Sequence, residues 1–175
     1  IRDYGIIAIT ILLFIALSLV SDAFFSLGNI LNILYQNAPL AIMACCTTIV
    51  IITGNFDLSV GAQFAIAAVM SAYMSKSIGT SGGAVMGILV GGLMGLTNGL
   101  LVTKLRINAF LATLATNMAF RGLIQALTMG YLQNTKADGF TWLGRAKLGP
   151  VPISVIIIAV VAIILQFVLS RTVFG

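Results

Sequence analysis

Apolar runs separated by short polar clusters divide the chain into six segments. Each reads as a membrane-spanning helix, since a hydrocarbon core of about 30 Å takes roughly 20 helical residues. The first covers residues 4–20 and lacks the small-residue cleavage pattern of a signal peptide. A polar connection with Ser21, Asp22, Asn29 and Asn32 follows; it encloses an amphipathic stretch, 30–35, expected to lie along the interface. The second span, 38–52, starts behind Pro39 and is broken by Thr53, Gly54 and Asn55. Its length of about 22 Å falls short of the core, so the break is expected at or inside the membrane boundary. Spans at 58–74, 83–102, 109–128 and 153–169 complete the series, the third closed by Lys76, Ser77, Gly79 and Thr80 and the fourth by Lys104 and Arg106. Residues 129–152, with Trp142, Pro150 and Pro152, form the longest polar connection. The expected fold class is an all-α, polytopic helical membrane protein of about six spans, with one break between helices 2 and 3.

Composition narrows the class further. Of 175 residues, 60% are apolar and 7% charged, against about 25% charged in soluble domains. That deficit fits lipid as the solvent and excludes a cytoplasmic globule or a disordered segment. No His is present, and Cys45 and Cys46 are adjacent within an apolar run, which leaves no zinc cluster and no disulfide framework. The net charge of +5 arises from basic residues scattered among loops, the pattern of a membrane protein's positive loops rather than of a nucleic-acid interface. There is no phosphate-binding loop, no paired carboxylate motif within a span and no nucleophile with a His base. No catalytic residue, metal or cofactor is expected. Because the chain opens at Ile1 rather than Met and stops soon after Arg171, it is expected to be a fragment.

Three patterns are candidates for function. Glycines at 79, 83, 87, 91, 95 and 99 recur every four residues along one side of the fourth span. Small residues let helix backbones approach in lipid, either within a bundle or across a dimer seam. Thr113, Asn117, Arg121 and Gln125 also stand four apart, flanked by Thr116, and give the fifth span a polar face. Arg121 lies about 20 Å along the helix from Asn108, too deep to face lipid tails; it lines a pathway or braces backbone carbonyls. The third pattern, Gly54-Asn55-Phe56-Asp57-Leu58-Ser59-Val60-Gly61, carries the only acidic residue between the second and third apolar segments. Asp57 or Ser59 is expected to cap the following helix. The functional reading is a broken-helix hairpin beside a substrate cavity, since irregular backbone at membrane depth needs protein or water next to it.

Residues 52–61 resemble the Gly-Gly-Ile-Asp-Leu-Ser-Val-Gly signature of the permease subunits of bacterial ABC importers for ribose and related monosaccharides, in the superfamily of the branched-chain amino-acid permeases; Asn55 and Phe56 replace Gly and Ile. Asn98-Gly99, Leu105-Arg106-Ile107, Phe110-Leu111-Ala112-Thr113-Leu114 and Arg121-Gly122 are similar to further patterns of that family, with Ala109 where Pro is usual and Ala115 for Gly. Arg171-Thr172-Val173-Phe174-Gly175 looks like the lead into the cytoplasmic loop that meets the ATPase.

The resemblance implies the amino-terminal half of a permease in the bacterial inner membrane, which forms the sugar pathway. Its partners would be a second permease copy, separate ABC ATPase subunits and an extracytoplasmic solute-binding protein. Positive charges tie between the two sides, with Arg2, Lys104, Arg106 and Arg171 against Lys76, Lys136, Arg145 and Lys147. The resemblance breaks the tie by placing Gly175, and hence Ile1, in the cytoplasm. Residues 129–152 then face outward, where Arg145 and Lys147 are candidate docking contacts for the binding protein. The alternatives are an ion-coupled secondary transporter, a structural scaffold or, within the family, an importer of a nucleoside or a furanose-like signal molecule.

Overall fold

Among the described residues six helical elements follow one another: α1 (Gly5–Val20), α2 (Leu27–Ile52), α3 (Val60–Thr103), α4 (Ala109–Thr128), the single turn α5 (Trp142–Arg145) and α6 (Ile153–Arg171). Before α6, β1 (Lys147–Leu148) pairs antiparallel with β2 (Val151–Pro152). The computed structural model describes residues 5–131, 133–135 and 137–172, without the side chain of Leu143. Arg2, Tyr4, Lys136 and the segment 173–175, all used in the sequence reading, lie outside the described residues. By length and composition α2, α3 and α6 are able to cross a membrane; α1 is apolar but shorter. Neither α1 nor α6 has a buried residue. These faces suit lipid or further protein, not water.

α2 corrects the sequence reading. It begins at Leu27, so residues 30–35 belong to it rather than to a separate interfacial stretch, and Pro39 lies inside it. The start is fixed by Ser26, whose extended backbone and Oγ, accepting from the Asn29 amide at 3.2 Å, form an N-cap. Pro39 removes one helical donor, which membrane helices tolerate when their surroundings meet the freed carbonyl. With 26 residues α2 exceeds the core thickness, and a short second span no longer sets the depth of the break.

The third and fourth expected spans are the two arms of α3, where only Gly79 leaves helical geometry (φ +77°, ψ 172°). A positive φ of this kind is open to glycine at little cost, and here the chain reverses. The arms, 60–78 and 80–103, run about 28 Å and 36 Å. They pack through the glycine stripe: a Cβ on Gly83 would lie 2.5 Å from the Ser71 carbonyl oxygen, and one on Gly87 3.1 Å from that of Ala67. Gly91 and Gly95 follow against Ala67 and Gln63, at 3.8 and 3.9 Å. The stripe therefore closes an intrachain hairpin, and Gly79 is its turn rather than part of the contact.

α4 packs along this hairpin, whereas α2 packs on α6 and β2. The small buried core includes Ala38, Ala62, Ile66, Ala72, Met94 and Ala112, so helices approach closely through alanines and glycines. The long connection folds over the Gly79 turn: Thr80 Oγ1 donates to the Asp138 carbonyl at 2.6 Å, and the hydroxyls of Ser75 and Thr135 meet at 2.8 Å. The single turn α5 and the β1–β2 ladder within this connection were not expected from the sequence.

Candidate functional site: a polar seam between the helix break and α4

Gly54 ends α2. Its φ of +77° lets its amide bond the Ile51 carbonyl at 2.9 Å while the Asn55 amide reaches that of Val50 at 3.2 Å, a double closure that satisfies the last turn. The chain then runs irregularly to Val60, and its free backbone groups are met from α4. The Thr113 hydroxyl accepts the Leu58 amide at 3.1 Å and has the Ala109 and Phe56 carbonyls as acceptors for its own proton, at 2.8 and 3.2 Å. Asn117 Nδ2 donates to the Leu58 carbonyl. Both polar groups of Leu58 are thus paired with side chains from a distant helix, as the backbone requires away from water.

Asp57 and Ser59 anchor the same loop to α3. Asp57 Oδ1 accepts from the Ser59 amide at 2.7 Å and from its hydroxyl at 2.6 Å, and Oδ2 accepts from Gln63 Nε2 at 3.0 Å. The fully buried Ser59 Oγ in turn accepts from Gln63 Nε2 at 2.7 Å and from Asn98 Nδ2 at 2.6 Å. Ser59 is the residue before the helix, but its side chain caps no first-turn amide. The hydroxyl has turned instead into a junction joining the loop to both arms of α3, so of the two expected caps Ser59 is corrected, while Asp57 does hold the Ser59 amide at the entry to the helix. Asn98 Oδ1 is buried without a partner among the described residues.

Above this seam the α4 face changes role. Thr113 and Thr116 are buried, whereas Arg121 and Gln125 are exposed. Arg121 Nε donates to Asn117 Oδ1 at 2.8 Å, which aligns the guanidinium with the face. A cavity of about 510 Å³ lies here, with Gly61, Ala65 and Val69 on the α3 side and Arg121, Gln125 and Thr128 on the α4 side. No cluster of metal-ligating side chains occurs among the described residues. What the wall offers is hydrogen bonding, through the remaining guanidinium donors and a carboxamide.

The structure thus brings Gly61 and the loop that carries Asp57 and Ser59 together with Thr113, Asn117, Arg121 and Gln125, whereas Gly54 and Asn55 close the end of α2. The Asn55 side chain bonds only within its own turn, to Thr53. Arg145 and Lys147 stand apart, beside the first turns of α2. Gln63 was not expected at the site, and Asn98 entered only through the family resemblance; the signals were an amide four residues after Ser59 and a lone amide within the glycine-rich arm.

The family described as the branched-chain amino acid transport system permease component matches residues 29–175. The galactofuranose transporter permease protein YtfT of Escherichia coli (strain K12) is 39% identical over 145 residues, 82% of this chain and 42% of that protein. The ribose import permease protein RbsC of the same strain is 34% identical over 98% of this chain and 54% of its own length. The autoinducer 2 import system permease protein LsrC of Yersinia pestis (strain Pestoides F) is 35% identical over 72% of this chain and 36% of its own. The chain spans about half the length, or less, of these curated relatives. No solved structure is significantly similar to it. On the family match and these identities, the chain belongs to the branched-chain amino acid transport system permease family.

Proposed function

We propose that the chain is part of the membrane-spanning permease subunit of an ATP-driven importer for a sugar or sugar-like solute, with ATP hydrolysed on separate subunits. The observation that carries this reading is the seam itself: an irregular loop between apolar helices, held by α4 beside a cavity whose wall presents Arg121 and Gln125. Guanidinium and carboxamide donors suit a hydroxyl-rich solute, and the relatives are permeases named for ribose, galactofuranose and autoinducer 2. In this reading α1, α2, both arms of α3, α4 and α6 make six crossings of a bacterial inner membrane, with the amino end cytoplasmic. The starts of α2 and α6 share one end of the bundle with the long connection, which supports that topology. A second permease copy, ATPase subunits and a solute-binding protein complete the proposed assembly.

The test is uptake by the full-length permease, reconstituted with its ATPase and binding protein in proteoliposomes. Labelled ribose, galactofuranose and autoinducer 2 are offered with and without ATP. ATP-dependent uptake that survives an ionophore is expected; uptake that collapses with the ion gradient and persists without ATP would establish the secondary-transporter reading instead. The position of the pathway has its own test. In a background without Cys45 and Cys46, Arg121→Cys and Gln125→Cys are expected to react with a water-soluble thiol reagent, whereas Thr113→Cys and Thr116→Cys, at sites 3% and 9% exposed, stay unlabelled. Labelling confined to the opposite face of α4 would remove the pathway from this seam.

A further inference from the structure

We propose that the cavity between the first turns of α2 and the α5–β1–β2 segment binds the headgroup of an anionic phospholipid. It measures about 760 Å³, within the range of small-molecule sites. Leu27, Leu31 and Pro150 supply apolar wall, and Arg145 and Lys147 supply two cations. No described lining residue is acidic, and neither cation has a hydrogen bond or ion pair with a described residue. Tyr35 completes the set: its hydroxyl also lacks a partner among the described residues and stands 3.9 Å from where a Cβ on Gly144 would lie, against α5.

The cavity's level in the fold selects the occupant. Two membrane-length apolar helices, α2 and α6, begin beside it. Trp142, 61% exposed, stands at the start of α5 as interfacial aromatics do. Hydrocarbon gives way to headgroups at this height. A phosphodiester accepts from guanidinium, ammonium and phenol together, while the glycerol and first methylenes rest on the leucines and proline. A zwitterionic headgroup would bring its own cation against Arg145 and Lys147, so the site favours net negative charge. An acidic patch on a protein partner would also complement these cations, but it has no need of an apolar recess at membrane level.

The full-length permease in nanodiscs of phosphatidylcholine containing equal amounts of phosphatidylglycerol and phosphatidylethanolamine tests the site, with retained lipid counted by native mass spectrometry. Preferential retention of phosphatidylglycerol is expected. Arg145→Gln and Lys147→Gln should each lower that preference about fivefold, and the pair about 25-fold. Tyr35→Phe leaves the charge untouched and should lower the amount of phosphatidylglycerol retained about threefold with the preference unchanged, which keeps the test decisive if the double variant does not fold. Equal retention of both lipids by the parent protein overturns the proposal, as does an unchanged preference in the double variant or an unchanged amount of retained phosphatidylglycerol in Tyr35→Phe. A double variant that keeps its lipid preference while the binding protein associates more slowly also overturns it and assigns the two cations to protein docking.

Discussion

Gly83→Ala is expected to destabilise the α3 hairpin more than the same change at residues 87, 91, 95 or 99. The added Cβ would stand 2.5 Å from the Ser71 carbonyl oxygen and 2.9 Å from the Ser75 amide nitrogen. Both are backbone atoms, so relief requires the arms to separate. Overpacking of this kind costs about 1–3 kcal/mol, and Gly83→Val should cost more. At Gly87 the nearest atoms are 3.0 Å and 3.1 Å away, and a smaller loss follows. Gly91 and Gly95 offer ordinary contact distances and Gly99 open space. There, alanine should be neutral or gain up to about 1 kcal/mol from helix propensity. Thermal unfolding of the five variants in detergent or nanodiscs measures the gradient. A flat series would mean that the stripe serves a surface other than the hairpin.

Ser59→Ala is the second large effect. One hydroxyl donates to Asp57 and accepts from Gln63 and Asn98, at a position with 0% exposure. Alanine leaves Asn98 with neither end of its amide paired among the described residues, since Oδ1 already lacks a partner. With each buried orphan costing about 1–3 kcal/mol, a loss of about 3 kcal/mol is expected, seen as a lower unfolding temperature and reduced membrane yield. Asp57→Asn should be milder than Asp57→Leu, because Asn retains one oxygen for the Ser59 amide and hydroxyl while losing the acceptor for Gln63. Equal stability of the Asn and Leu variants would show that the carboxylate does not organise the loop.

The apolar runs located α1, α4 and α6 closely because those helices end where polar residues begin. α2 was misread for a specific reason. Proline marks a helix start in water, but within a membrane helix it is carried inside, and the true signal was Ser26 followed three residues later by Asn29. The arms of α3 were read as separate spans because four polar or glycine positions interrupt the run at 76–80. Only Gly79 needed to leave helical geometry for the chain to reverse. The four-residue spacing exposed the α4 face, yet spacing within one helix does not say what that face touches. The long-range partners of Thr113 and Asn117 are backbone groups of Phe56 and Leu58, which have no side-chain signature at all.

Those long-range bonds also bear on how the protein is made. The groups that satisfy Leu58 belong to residues 55 and 59 positions later in the chain, so they emerge from the ribosome only after the whole α3 hairpin has been synthesised. Until α4 arrives, the 53–59 loop must keep its backbone hydrated or borrow other partners. α3 and α4 therefore reach their final arrangement as one unit of assembly, and a chain interrupted between them at 104–108 should present an unfinished loop to the membrane's quality-control proteases.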